Sequence, residues 1–116
     1  MKLPNAHLAV VERHKIVDYL LDPAHPDNGG KASFFQMLGF DREDWSAFAN
    51  ALRELAATCE VTKTMESTHG SKYILDGRIS TSSERASTVR SVWIIERGEE
   101  APRLVTAYPH GERGQP

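Results

Sequence analysis

Arg103, Thr106 and Tyr108 stand close together near the end of the chain, in "PRLVTAYP". Guanidinium, hydroxyl and phenol are side chains that hold a phosphate by charge and by hydrogen bonds. Val, Thr and Tyr favour a pleated, half-buried surface, so 103–108 reads as a strand. Period-two alternation then predicts Leu104, Thr106 and Tyr108 on one face, with Arg103, Val105 and Ala107 on the other. A second strand pattern, "VRSVWIIE" (89–96), places Arg90, Val92 and Ile94 on one face and Ser91, Trp93 and Ile95 on the other. An Arg in mid-sheet is costly to cover unless it is paired or near solvent. A hairpin of these two strands would bring Arg90 to the Thr106/Tyr108 end.

Three more polar residues extend the set. Lys31 opens a helix pattern behind Gly29 and Gly30, and His69 and Lys72 flank a turn in "HGSKY". Arg90, the two hydroxyls and a nearby Lys or His would bind a phosphate. Each also has an ordinary role. Lys31 would serve as a solvated first-turn residue, His69 as a turn residue, and Lys72 as an edge-strand charge against aggregation. Arg90 with the hydroxyls would form a sheet-end hydrogen-bond network.

Other chemistries find little support. The five histidines form no HxxxH or HExxH pair, and Cys59 has no neighbouring ligand, so neither a metal nor a cofactor is expected. "DNGGKAS" lacks the spacing of a phosphate-binding loop, and GxSxG is absent.

The elements that must position the set follow from composition and period. At 116 residues the chain is expected to be one domain, 1–116, with a helical part at about 8–59, a sheet part at about 60–109 and a polar tail at 110–116. Net charge is −2, divided as −3 over 1–60 and +1 over 61–116. A general nucleic-acid binder is strongly basic, so any nucleic-acid role here must rest on a local pocket. No apolar run is long enough to span a bilayer, no secretory leader is evident, and the lone Cys59 suits a reducing compartment. Cytoplasmic residence without a membrane partner is expected.

Helices are predicted at 12–21, with Ile16, Val17, Leu20 and Leu21 on one stripe, and at 31–38, stopped by Gly39. The clearest one follows Asp41, with Trp45, Phe48, Ala49, Leu52, Leu55 and Ala56 recurring at steps of three and four. The period then changes to two. Strands are predicted at 61–65, 71–76, 89–96 and 103–108, with 76–87 a polar loop. Helices first and strands second give an α+β fold, with N-terminal helices packed on one face of a mostly antiparallel four-stranded C-terminal sheet. The other face is left free to form a site.

The motifs "LPNA", "DYLL", "KA.FF", "G.KY..DG", "VRSVWI" and "PRLVTAYP" resemble an uncharacterised family of small bacterial domains, over nearly the whole chain. More distantly, helices followed by a sheet that ends in "VTAYP" is similar to the barnase–EndoU–colicin–RelE superfamily of metal-independent ribonucleases. In EndoU-type members a Thr/Ser-x-Tyr-Pro strand helps hold RNA while lysine and two histidines work at the phosphate. Carried over, the resemblance implies that Thr106 and Tyr108 hold RNA and that Lys31 or Lys72 is the catalytic lysine. His69 is the histidine candidate, where the pattern asks for two.

Two readings follow. The first is a small endoribonuclease leaving 2′,3′-cyclic phosphate ends, the toxin of a toxin–antitoxin pair with RNA as substrate and a cognate antitoxin or immunity protein as partner. His69 or Lys31 would act as acid and base, Arg90 and Lys72 would stabilise the phosphorane, and Thr106 and Tyr108 would position the substrate. Trp93 and Arg103 would add substrate contacts. The second is a non-catalytic module that binds a neighbouring small protein through its sheet face, with Trp93 and Tyr108 as anchors.

Overall fold

The computed structural model describes residues 1–80 and 86–110, and in them the helices precede the strands. A single α-turn, α1 (Arg13–Lys15), runs on as a π-helix over Ile16–Leu20, closed by Leu21 N–H donating to Ile16 O at 2.8 Å. α2 covers Lys31–Met37 and is stopped by Gly39, whose φ of 110° favours glycine. Asp41 accepts from the Glu43 N–H at 2.9 Å and starts the 3-10 turn Arg42–Asp44, from which α3 (Trp45–Thr58) continues. Its stripe is the one the period predicts. Phe48, Ala49, Leu52, Leu55 and Ala56 are all buried, and Trp45 is partly so.

Four strands form an antiparallel meander in the order β1 (Val61–Ser67), β2 (Gly70–Ser80), β3 (Ala86–Glu96), β4 (Arg103–Pro109). Leu75 and Ile79 of β2, Val89 and Trp93 of β3, and Leu104 and Ala107 of β4 join the helical residues in one core. The opposite face carries Lys72, Asp76, Arg90, Ile94, Thr106 and Tyr108, and the first helical turns reach it only at its β4 side. The fold is therefore α+β, as the order of periods implies.

Two local readings need correction. β2 does not end at Asp76 but continues to Ser80, so 76–80 is strand rather than loop; residues 81–85 of the expected loop lie outside the described residues. The strand continues because Ile79 is buried and because Gly77 lets α3 pack directly on the backbone. A Cβ at Gly77 would overlap Cys59 Sγ and approach Leu55 Cδ2 to 2.9 Å.

The second correction concerns β4. Val92 is opposite Thr106 but Trp93 is opposite Leu104, so Val105 is the extra residue of a β-bulge. Alternation slips by one there. Leu104 and Ala107 face the core, while Thr106 and Tyr108 share the open face with Arg90. Leu104 is thus not on the hydroxyl face.

The segment "HLAVV", which strand and loop patterns leave undecided, makes a 3-10 turn at Ala6–Leu8 and then covers the outer edge of β4. Val10 N–H donates to Pro102 O at 2.8 Å and Leu104 N–H to Val10 O at 3.0 Å. This brings α1 alongside β4. Among the described residues no helix is long and apolar enough to cross a membrane.

Candidate functional site

The bulge at Val105 turns Thr106 to the open face of β4, and Tyr19 on the π-helix reaches it there. Tyr19 Oη and Thr106 Oγ1 are 3.0 Å apart, joining elements 87 residues apart in sequence. The π-helix is a rare backbone form frequent at functional sites, and its wider turn re-aims the side chains it carries. Around the Tyr19 ring three titratable groups gather. Lys15 Nζ is 5.5 Å from the ring centroid, Lys31 Nζ is 5.4 Å from it, and the His25 ring meets it edge-on with centroids 5.0 Å apart.

Asn28 holds this arrangement in place. Its side chain is buried, donates to Tyr19 O at 2.6 Å and accepts from Ala32 N–H at 2.9 Å. Its backbone N–H donates to His25 O at 3.0 Å, and its carbonyl accepts from Lys31 N–H at 3.1 Å and from Lys31 Nζ at 3.2 Å. One amide thereby ties the end of the π-helix, the 22–30 loop and the start of α2 together. The result is an open cleft of about 640 Å³ walled by His14, Lys15, Tyr19, His25, Val105 and Thr106, with Asp18 and Asp27 at its rim. His25 Nδ1 accepts from the Asp27 N–H at 3.0 Å, which leaves the ring proton of the neutral form on Nε2.

A second polar cluster lies further along the open face. Asp76, Arg90 and Tyr108 stand side by side on β2, β3 and β4. Arg90 grips Asp76 with two bonds, Nε to Oδ1 at 2.8 Å and Nη2 to Oδ2 at 2.9 Å, and its Nη2 is 3.1 Å from His110 Nε2. These bonds hold the Asp76 carboxyl below its ordinary range, against the opposing cost of burial. The same bonds, with a smaller part from Tyr108, raise the guanidinium. Asp76 thus engages Arg90 as a bidentate partner through Nε and Nη2.

The third group sits at the other end of the sheet. His69 occupies the β1–β2 turn, next to Glu96, and a hollow of about 540 Å³ joins it to Lys72. Glu96 is six residues from Arg90 on β3, roughly 20 Å at strand rise, so His69 and Arg90 do not share a site. Arg103 donates to both Glu96 oxygens, at 2.9 and 2.6 Å, and lies 3.7 Å from Glu12. These bonds hold the Glu96 carboxyl below its ordinary range.

The structure thus joins Lys31 to Thr106 through Tyr19, and Arg90 to Tyr108 as cross-strand neighbours. It sets His69 apart from both, whereas Lys72 and Arg103 adjoin the cleft, lining a neighbouring hollow of about 460 Å³ that shares His14, Lys15 and Val105 with it. Trp93 must be corrected as a surface contact: it has no exposed area, packs under the helices, and donates from its indole to Ser91 Oγ at 3.0 Å. Residues that pattern reading missed are Tyr19, Lys15, His14, His25 and Asp76. The spacing of Lys15 and Tyr19, four apart on a helix, was a usable signal for a shared face. Nothing local announced that His25 would turn toward them. Among the described residues no three His, Cys, Asp or Glu side chains gather as ligands for a metal ion.

A layered α+β domain with a polar cleft at one sheet edge and an ion-paired open face is the class that this geometry defines. The chain belongs to the family DUF6883, a domain of unknown function, whose model matches residues 2–111. No curated protein matches it in sequence. Among solved structures it is similar to a chain of the contact-dependent growth inhibition toxin–immunity protein complex from Klebsiella pneumoniae 342. The TM-score is 0.73 at 16% identity, over 92% of this chain and 97% of that one. At that identity the likeness is one of fold.

Proposed function

We propose that this chain is a toxin-type endoribonuclease that cleaves RNA without a metal, leaves a 2′,3′-cyclic phosphate, and is neutralised by a cognate partner protein. The observation that carries the reading is the Tyr19–Thr106 contact, which stands in an open cleft lined by His14, Lys15 and His25, with Lys31 against the Tyr19 ring. The chemistry requires a base for the 2′-OH, an acid for the 5′ oxygen, and donors for the phosphorane. His14 supplies the base and the Lys31 ammonium the acid. His25 presents Nε2–H as a donor, and the hydroxyls of Thr106 and Tyr19 position the substrate. The acids of the open face are largely paired, so the absence of a global basic surface is compatible with a local site.

The likeness to a chain of a toxin–immunity complex supports a partnered role and is equally compatible with the partner's side of such a pair. The ion-paired open face favours that second reading, a non-catalytic module, as a binding surface. Incubating purified protein with total RNA in excess EDTA separates the two. The ribonuclease yields fragments with cyclic phosphate and 5′-hydroxyl ends. Intact RNA with and without divalent metal, together with unimpaired growth on expression, leaves only the binding module.

A further inference from the structure

We infer that the cleft is a seat for a phosphoryl group, held by Lys15 from its lining and by Lys31 from beside the Tyr19 ring. This deepens the ribonuclease reading by naming the anion's partners, and rests on it only for the choice of a phosphoryl ligand. Both lysines are half-buried, and among the described residues neither makes an ion pair with a carboxylate. That is uncommon. Lysines taken partly from water are ordinarily paired or extended into solvent. Here both ammonium groups fold back onto one ring, so they are at most about 11 Å apart. Two like charges at that separation repel, and an anion between them would turn repulsion into attraction on both sides.

The remaining groups fit the same ligand. His25 presents its Nε2–H, and the Tyr19 and Thr106 hydroxyls each have a lone pair or proton left after bonding one another. The acids nearby do not fill the position. Asp18 and Asp27 also line the cleft but are exposed, so that water and salt screen them, while Lys15 and Lys31 are half-buried against the Tyr19 ring. Asn28 fixes the Lys31 ammonium by its carbonyl, so that side of the seat is organised before any ligand arrives.

The test uses the full chain, inorganic phosphate as the dianion and dimethyl phosphate as a monoanionic diester, with potassium chloride at matched ionic strength. Melting temperature and histidine ring shifts by NMR are followed against concentration. Phosphate is expected to raise the melting temperature above the chloride control and to move the His25 signals. The rise should diminish in Lys15→Gln or Lys31→Gln and vanish in the double variant, with Lys15→Arg retaining it. A response to both anions assigns the seat to an RNA chain's diester; a response to phosphate alone assigns it to a terminal phosphate. A response no greater than chloride, or one that survives in the double variant, overturns the proposal. None of these readouts needs cleavage, so a protein that binds phosphate but leaves RNA intact would sink the nuclease reading and spare the seat.

Discussion

Tyr19 Oη rests 3.0 Å from Thr106 Oγ1, and this one contact docks a π-helix against the bulged edge of a sheet. Neither partner reaches the other from regular geometry. The bulge turns Thr106 to the open face, and the π-turn carries Tyr19 outward on a helix whose Ile16 and Leu20 stay in the core.

Asn28 is expected to be the most sensitive polar residue of the loop. Asn28→Ala leaves the buried Ala32 N–H without its partner and takes one of two donors from Tyr19 O, which keeps the Asp22 N–H. Buried groups deprived of a hydrogen bond cost about 1–3 kcal/mol each, and water entering the gap would recover part of that. Urea unfolding should show a loss of roughly 1–3 kcal/mol, and limited proteolysis should cut within 22–30 before the sheet unfolds. An equally resistant loop in Asn28→Ala would show that the amide does not organise it.

Gly77 carries a different constraint, set by the close approach of α3. Gly77→Ala should destabilise the fold by about 1–3 kcal/mol through overpacking, because the new Cβ meets Cys59 Sγ and Leu55. Cys59→Ala removes the sulfur from that contact. The double variant should therefore lose less than the sum of the two single changes, a coupling that denaturant melts of all four proteins measure. Strict additivity would place the two residues further apart than they are.

What the sequence made legible is what depends on period. The α3 stripe from Phe48 to Ala56 and the β3–β4 pairing both follow from it. Period fails where the backbone departs from its regular form. The bulge at Val105 moves Leu104 off the face of Thr106, and Gly77 continues a strand that a "DG" pair seems to end. The site suffers most from this. Lys31, Thr106, Arg90 and Tyr108 were readable as polar residues on suitable elements, whereas Tyr19 and His25 enter through a π-turn and a loop clipped by Asn28. Residue types alone also gave no sign that Asp76 would claim Arg90, since the two lie on neighbouring strands.

The Asp76–Arg90 pair makes stability depend on acidity in a defined direction. The folded carboxyl is held below its unfolded value of about 3.9. Its contribution is therefore complete above that value and disappears as pH falls through the lower, folded one. Asp76→Asn should cost about 1–2 kcal/mol at pH 7, as for hydrogen bonds to a charged group at a partly exposed place. The gap between variant and parent should narrow steadily below about pH 4. Thermal melts from pH 7 to pH 2 follow it, and a gap independent of pH would mean that the pair adds no stability through charge.

The same pair shapes the expectation for activity. A guanidinium paired with the Asp76 carboxylate has its charge largely compensated, and it stands on the β2–β3–β4 rung rather than in the cleft. Arg90→Ala should therefore lower stability while reducing RNA cleavage per folded molecule by less than about tenfold, well short of losing an essential charge stabiliser. His14→Ala and Lys31→Ala should each cut the rate by about 10²–10³, the range for a general acid or base. Thr106→Val should fall between these limits, since it removes one hydroxyl but leaves Tyr19 in place. Rates are to be compared at equal folded fraction, checked by near-UV circular dichroism. If Arg90→Ala proves the most damaging and Lys31→Ala is harmless, the reacting phosphate belongs beside Tyr108, and the cleft at Tyr19 serves some other purpose.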